Sequence, residues 1–294
     1  MLIRIVSILF PMFAIAALGF VIGRRTRPDL GYINKLNMDV FVPALIFAAL
    51  ASEDFRIREF APLAAAAFAV IAGSGVIAFV LARATGIASR TFVPPMMFNN
   101  SGNLGLPLAV LAFGEDALAP AIVLFMVENF LHFSYGAWLL DRNTRLLTIW
   151  RIPSVFATLV GLAVSAAGVS LWTPFMQAVG MLGDVVIPLM LFALGVRLAD
   201  TDFSSWRLGL FGALARPLMG LAVAAALLAV IDLPPEQRAL LLVFAALPPA
   251  VLNYIFAERY GQEPDKVASM VFIGNLASVA ILPLVLALAL PAAG

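Results

Sequence analysis

The sequence predicts an all-α polytopic membrane protein, with ten transmembrane helices arranged as two inverted five-helix repeats and two broken crossover helices. Three observations lead there. Hydrophobic residues make up 63% of the 294 positions and charged residues only 12%, with a mean hydropathy of +1.04; a soluble domain carries about 25% charged residues. Apolar stretches of helix length follow one another with short links and no soluble domain between them. Two of those stretches, placed alike in the two halves, are interrupted by clusters of Pro, Gly and Asn.

A helix needs about 20 apolar residues to cross the hydrocarbon core. The first run, 2–22, is apolar apart from Arg4 and ends in Arg24-Arg25-Thr26-Arg27. It exceeds the ~7–15-residue core of a secretory signal and reads as a retained span. Spans two and three lie near 33–51 and 60–83. The fourth, 91–114, carries Pro94-Pro95 and then Asn99-Asn100-Ser101-Gly102-Asn103-Leu104-Gly105-Leu106-Pro107. Spans five to eight lie near 117–139, 148–170, 175–198 and 206–231. The ninth, 238–260, is broken at Leu247-Pro248-Pro249-Ala250-Val251-Leu252-Asn253, and the tenth is 266–290. Irregular backbone at membrane depth persists only where it is buried in protein or lines a cavity. Matching breaks in two repeats point to a transporter's binding site.

The cations set an orientation. With ten spans, one side holds Arg24, Arg25, Arg27, Lys35, Arg83, Arg90, Arg142, Arg145, Arg151, Arg197, Arg207, Arg259 and Lys266, and the other Arg4, Arg56, Arg58 and Arg238. This bias of 13 to 4 places both termini on the non-cytoplasmic side of a plasma (inner) membrane. Asp39-Val40-Phe41-Val42-Pro43 matches Asp184-Val185-Val186-Ile187-Pro188 at an offset of 145, and Pro94-Pro95 with Asn99 matches Pro248-Pro249 with Asn253 at 154. A looser match sets Phe125 to Glu128 on Phe272 to Asn275 at 147. The halves are therefore 1–140 and 148–290. Five spans per half is odd, so the second copy enters from the opposite face.

The breaks supply the first candidate residues. Gly102 and Gly105 allow unusual backbone conformations, and Pro107 suits the first turn of a second half-helix. That helix N-terminus is a seat for a carboxylate. Asn99, Asn100, Ser101 and Asn103 either bind a solute there or satisfy the broken backbone; Asn253 reads as an N-cap after the Pro248-Pro249 kink. Intramembrane ionisable groups are functional candidates by default. Glu128 and His132, spaced i, i+4, share a helix face and form either a proton relay or a tether between helices. Asp39 and Asp184 are further proton-coupling candidates. Asp39 also reads as a first-turn charge near the membrane surface, and Asp184 lies deeper. Arg216, inside span eight, needs Asp184, Glu128, half-helix carbonyls or an anionic substrate as its partner.

Other classes fit less well. A net charge of +1 gives no nucleic-acid footprint, and the absence of cysteine with a single histidine leaves no thiol chemistry or histidine-rich metal site. No cofactor and no catalytic residue is expected. An intramembrane serine protease would use Gly-x-Ser-Gly, but position 99 is Asn; an aspartyl one would use Gly-x-Gly-Asp, but Met181-Leu182-Gly183 precedes Asp184. A channel wants a continuous polar ring, whereas polar groups here cluster at the breaks.

The run from Asn99 to Leu108, followed by Phe113-Gly114, resembles the signature of the auxin efflux carrier family, and Leu247 to Asn253 resembles that family's second crossover. The likeness covers essentially the whole chain. The link from Leu140 to Leu147 is short, as in compact prokaryotic members. The resemblance implies crossing broken helices, a scaffold and a transport domain, and a small organic anion such as auxin, malate or malonate as substrate. It implies Asn99, Asn100 and Asn253 as binding residues. The expectation is a secondary carrier in the lipid bilayer working by alternating access, coupled to protons or alternatively to sodium, with Arg216 adding charge; a homodimer suits this architecture.

Overall fold

The computed structural model describes residues 1–52, 55–144, 146–199 and 204–290, and Arg145 lies outside the described residues. Among the described residues the chain forms twelve helices. They are α1 (Leu2–Thr26), α2 (Gly31–Leu50), α3 (Ile57–Thr85), α4 (Ser89–Met97), α5 (Ser101–Phe113) and α6 (Glu115–Leu140). There follow α7 (Pro153–Ala167), α8 (Thr173–Ala199), α9 (Trp206–Leu228), α10 (Pro235–Ala246), α11 (Val251–Tyr260) and α12 (Pro264–Ala289). Seven are long and apolar enough to cross a membrane: α1, α2, α3, α6, α8, α9 and α12.

At the fourth and ninth expected spans the chain makes two half-helices each, α4 with α5 and α10 with α11. The sixth is shorter than the stretch 148–170 implies. Pro153 opens α7 in its first turn and Gly168, at φ 62°, closes it after 15 residues; Pro at a start and a left-handed Gly at an end are the usual stops. Three long helices are irregular inside. A π turn occupies Asn37–Phe41 of α2 and another His132–Gly136 of α6, while α8 is interrupted at Val185.

The closest packing is between α1 and the second half of α8. A Cβ on Gly195 would lie 1.8 Å from the Ala16 carbonyl oxygen, and one on Gly19 would lie 2.1 Å from that of Phe192. Lipid is as apolar as Leu, so membrane helices associate through such close approach rather than through hydrophobic burial. The outer surface carries Ile3, Phe10, Phe68, Phe156, Trp172 and Leu288, all more than half exposed. A water-facing surface would not tolerate so many large apolar groups together.

The helix ends gather at two poles. At one, the α1 end meets the α8 end through Gly23 and Ala199. There too Thr91 Oγ1 of α4 donates to Glu263 Oε2 at 2.5 Å, just before α12, and Lys266 pairs with the same carboxylate. At the other pole, Gln237 Nε2 donates to the Glu59 carbonyl and Ser165 Oγ to that of Phe55. The first pole is Arg-rich, carrying Arg24, Arg25, Arg27, Arg90, Arg197, Arg259 and Lys266.

Lys266 and then Thr91 hold the Glu263 carboxyl below its ordinary value of 4.5. A lowered folded value means that this contact stabilises the fold above the ordinary carboxylate range and is lost as pH falls through the lowered value. Glu263→Gln should therefore melt below the parent at neutral pH, and the two melting curves in detergent should converge in acid.

Candidate functional site

The two breaks cross each other as extended segments. Phe98 to Asn100 runs antiparallel to Pro248 to Ala250, with Asn99 opposite Pro249. The Asn100 N–H donates to the Pro248 carbonyl at 2.8 Å and the Ala250 N–H to the Phe98 carbonyl at 3.0 Å. Pro248 and Pro249 have no N–H to give, but this pairing asks them only for a carbonyl. On the first strand, Pro94 and Pro95 still lie inside α4, so the chain leaves the helix only at Phe98.

Amide side chains satisfy what the crossing leaves open. Asn99 Nδ2 donates to the Phe244 carbonyl at the end of α10 at 2.9 Å. Asn253 Nδ2 donates to the Phe98 and Ala250 carbonyls at 3.1 and 3.0 Å. Asn100 Nδ2 donates to Asn275 Oδ1 at 2.7 Å, and Asn275 Nδ2 donates in turn to the Pro249 carbonyl at 3.0 Å. Among the described residues the Oδ1 atoms of Asn99 and Asn253 are buried without a partner.

A cavity of about 370 Å³ runs from this crossing to the Arg-rich pole, within the range of small-molecule sites. Asn99, Asn100, Gly102 and Asn103 line its floor, together with Glu128, Asn129 and His132 of α6. Asn34, Asn37 and Met190 line the facing wall, and Arg197 and Arg259 lie toward the pole. On the far side of the crossing, Ala109, Leu124, Leu240, Val243, Phe244 and Leu247 leave only about 10 Å³. That is scarcely room for one water, and these apolar side chains are buried against the Ser101 and Gly105 turn.

The floor combines donors with a titratable pair. Ser101 and Gly102 open α5, and the first backbone N–H groups of a helix have no partner within it. Ser101 Oγ donates to Glu128 Oε2 at 2.9 Å, and His132 Nδ1 lies 3.2 Å from Glu128 Oε1. The imidazole stacks on Phe98, centroids 4.2 Å apart, and meets the Phe256 edge at 5.2 Å. Its Nε2 is buried without a partner among the described residues. The crossing, the α5 N-terminus and the Glu128–His132 pair thus form one connected network.

Several expectations change here. Asn253 is not an N-cap: Ala250 is, and Asn253 is the third residue of α11. The bridge sets Asn99 opposite Pro249, and Asn103 is the third residue of α5 as Asn253 is of α11. Gly102 and Gly105 are absent from the described glycines with positive φ. What matters is room: a Cβ on Gly105 would lie 2.9 Å from Leu247 Cδ1 and one on Gly102 3.1 Å from Phe125. Pro107 sits in the first α-helical turn after the π turn of α5.

Arg216 is fully buried but lies behind the crossing, not among the cavity-lining residues. Its Nη1 donates to the Ala245 carbonyl at 3.0 Å, so it serves the carbonyl end of α10 beside Asn99; a cation there suits the negative end of a helix. Asp39 pairs with Lys35 at 2.6 Å and is exposed, as is Asp184 beside the interruption of α8. Neither lines the cavity. Sequence reasoning missed Asn37, Asn275, Arg197 and Arg259. Asn275 was signalled by its match to Glu128; the two arginines read only as membrane-surface cations, and nothing in the pattern singled out Asn37.

The sequence model of a family described as "Membrane transport protein" matches residues 4–149 and again residues 143–286. An "Uncharacterized transporter" of Methanothermobacter thermautotrophicus is 27% identical over 292 residues, covering 90% of each chain. A protein of Rhizobium meliloti named "Putative malonate transporter" is 25% identical over 307 residues, covering 94% of this chain and 93% of its own.

Proposed function

We propose, from the premise that this chain belongs to the membrane transport protein family of auxin efflux carriers, that it is a secondary carrier moving a small organic anion by alternating access. It is a multi-pass membrane protein and not an enzyme. The observation that carries the reading is the crossing itself: two broken helices cross at the floor of a cavity that reaches the Arg-rich pole, with close apolar packing on the other side. The name of the Rhizobium meliloti relative makes malonate the first substrate to try.

In this reading the anion's carboxylate sits on the N–H groups opening α5, with the Asn99, Asn100 and Asn103 amides around it. Arg197 and Arg259 draw anions into the mouth. Asn253 and Arg216 hold the crossing in shape from behind. Glu128 and His132 carry the coupling proton, which adds positive charge beside the anion and leaves with it when the opposite pole opens.

The architecture is read as ten spans in two inverted repeats, 1–140 and 148–290, with the Arg-rich pole cytoplasmic and both termini outside. Packing supports the repeat. The first helix of each half lies against the second span of the other, α1 on α8 and α7 on α2. Phe47 contacts Phe175, and Phe192 packs against the cluster that holds Leu30; these are the same positions carried over at an offset of 145.

The test is uptake of labelled malonate, malate and indole-3-acetate into proteoliposomes under an imposed pH gradient, then an imposed Na⁺ gradient. Malonate uptake that follows the pH gradient is expected, and Glu128→Gln should remove that dependence. A strict need for Na⁺ would overturn the proton assignment. No uptake of any of the three by folded protein would overturn the carboxylate assignment.

A further inference from the structure

Asn37 is 6% exposed, sits in the π turn of α2 and faces the crossing across the cavity. Among the described residues its Oδ1 is buried with no partner, and its Nδ2, the atom that can donate to a carboxylate, enters no hydrogen bond; single π turns recur at functional positions. Asn34 and Arg197 share its wall. This wall belongs to α2 and α8, not to the crossing, so an alternation between poles replaces it while the crossing keeps its own groups. Resting on the carrier reading above, the repeat says what the replacement is. The offset of 145 that relates Asp39 to Asp184 and Phe47 to Phe192 turns Asn34 into Val179, Asn37 into Leu182 and Arg197 into Ser52. The irregular turns correspond too, the π turn of Asn37–Phe41 with the interruption at Val185.

We infer that Asn37 is a specificity-determining ligand used in one facing state only, so that the carrier binds its anion more tightly from the Arg-rich pole than from the other. With the cavity open to the Arg-rich pole, the carboxylate meets amides on both sides: Asn99 to Asn103 on the floor and, opposite, Asn37, whose Nδ2 donates to it. Open to the other pole, it meets the same floor but an apolar wall of Val179 and Leu182. A hydrogen bond to a charged group contributes enough that its loss changes an equilibrium constant about tenfold or more. Half-saturation, not the direction of net flux, carries this difference; flux follows the coupling gradient.

The experiment measures half-saturation for labelled malonate at each face, using right-side-out and everted membrane vesicles. The constant should be about tenfold lower at the Arg-rich face. Asn37→Leu should raise it there by a similar factor and leave the other face unchanged. The reciprocal Leu182→Asn should lower it at the other face only. A merely structural role for Asn37 would move both faces or the maximal rate instead. Equal constants at the two faces, or an Asn37→Leu effect at both, would overturn the inference while leaving the carrier reading intact. Absence of malonate uptake at either face would overturn the carrier reading on which it rests.

Discussion

Asn99→Ala should reduce malonate uptake at least about a hundredfold in proteoliposomes while the protein still inserts and purifies as a monodisperse species. The side chain lines the cavity and also caps α10 through the Phe244 carbonyl. Removing it leaves that buried carbonyl unpaired, at a cost of about 1–3 kcal/mol, and removes a donor from the binding floor. The backbone bonds at Asn100 and Ala250 remain, so the crossing persists but shifts. A displacement of about 1 Å at such a centre is enough for a hundredfold loss. Asn253→Ala is the informative contrast. Asn253 performs the same capping chemistry from outside the cavity lining, so this variant should lose melting temperature and keep most of its affinity for malonate. Equal transport by Asn99→Ala and the parent would sink the central-site assignment.

Gly195→Val should yield essentially no folded protein. Its Cβ would stand 1.8 Å from the Ala16 carbonyl, and backbone cannot move aside as a flexible side-chain end can. The reciprocal contact of Gly19 with Phe192 is nearly as close, so the clash forces α1 off α8 along its length. Overpacking of this kind costs about 1–3 kcal/mol or more, comparable with a sizeable part of the ~5–15 kcal/mol that stabilises a folded chain. Size-exclusion profiles of a fluorescent fusion would report it as aggregate. Gly180→Ala, in the same helix but with nothing near its Cβ, should be neutral or slightly stabilising. A normal profile for Gly195→Val would mean that α1 and α8 do not pack this closely in the bilayer.

Much of this arrangement was legible in the sequence because bilayer constraints are severe. Apolar runs of fixed length, and Pro, Gly and Asn clusters inside two of them, have few structural solutions. The register of the crossing was not legible. Pro94-Pro95 and Pro248-Pro249 look alike as text, yet one pair stays inside α4 and the other lies in the extended strand. Whether a Pro pair ends a helix depends on what receives the freed carbonyls, and that is decided by the opposite strand. The sequence match sets Asn99 on Asn253, whereas the antiparallel bridge sets Asn99 opposite Pro249. Arg216 shows a second limit: mid-span charge marks a partner that must exist but not whether it is substrate or backbone. Asn37 shows a third, since its place opposite Asn99 comes from α2 packing, which no local pattern encodes.

The interleaving of the halves also bears on how the chain is made. Gly19 meets Phe192 across 173 positions of sequence. At about 5–20 residues per second of synthesis, α1 waits roughly ten to thirty-five seconds in the bilayer before its partner emerges. Throughout that interval its small-residue stripe is open to any other helix nearby. Assembly of the wall around the cavity is thus a late, post-insertional event.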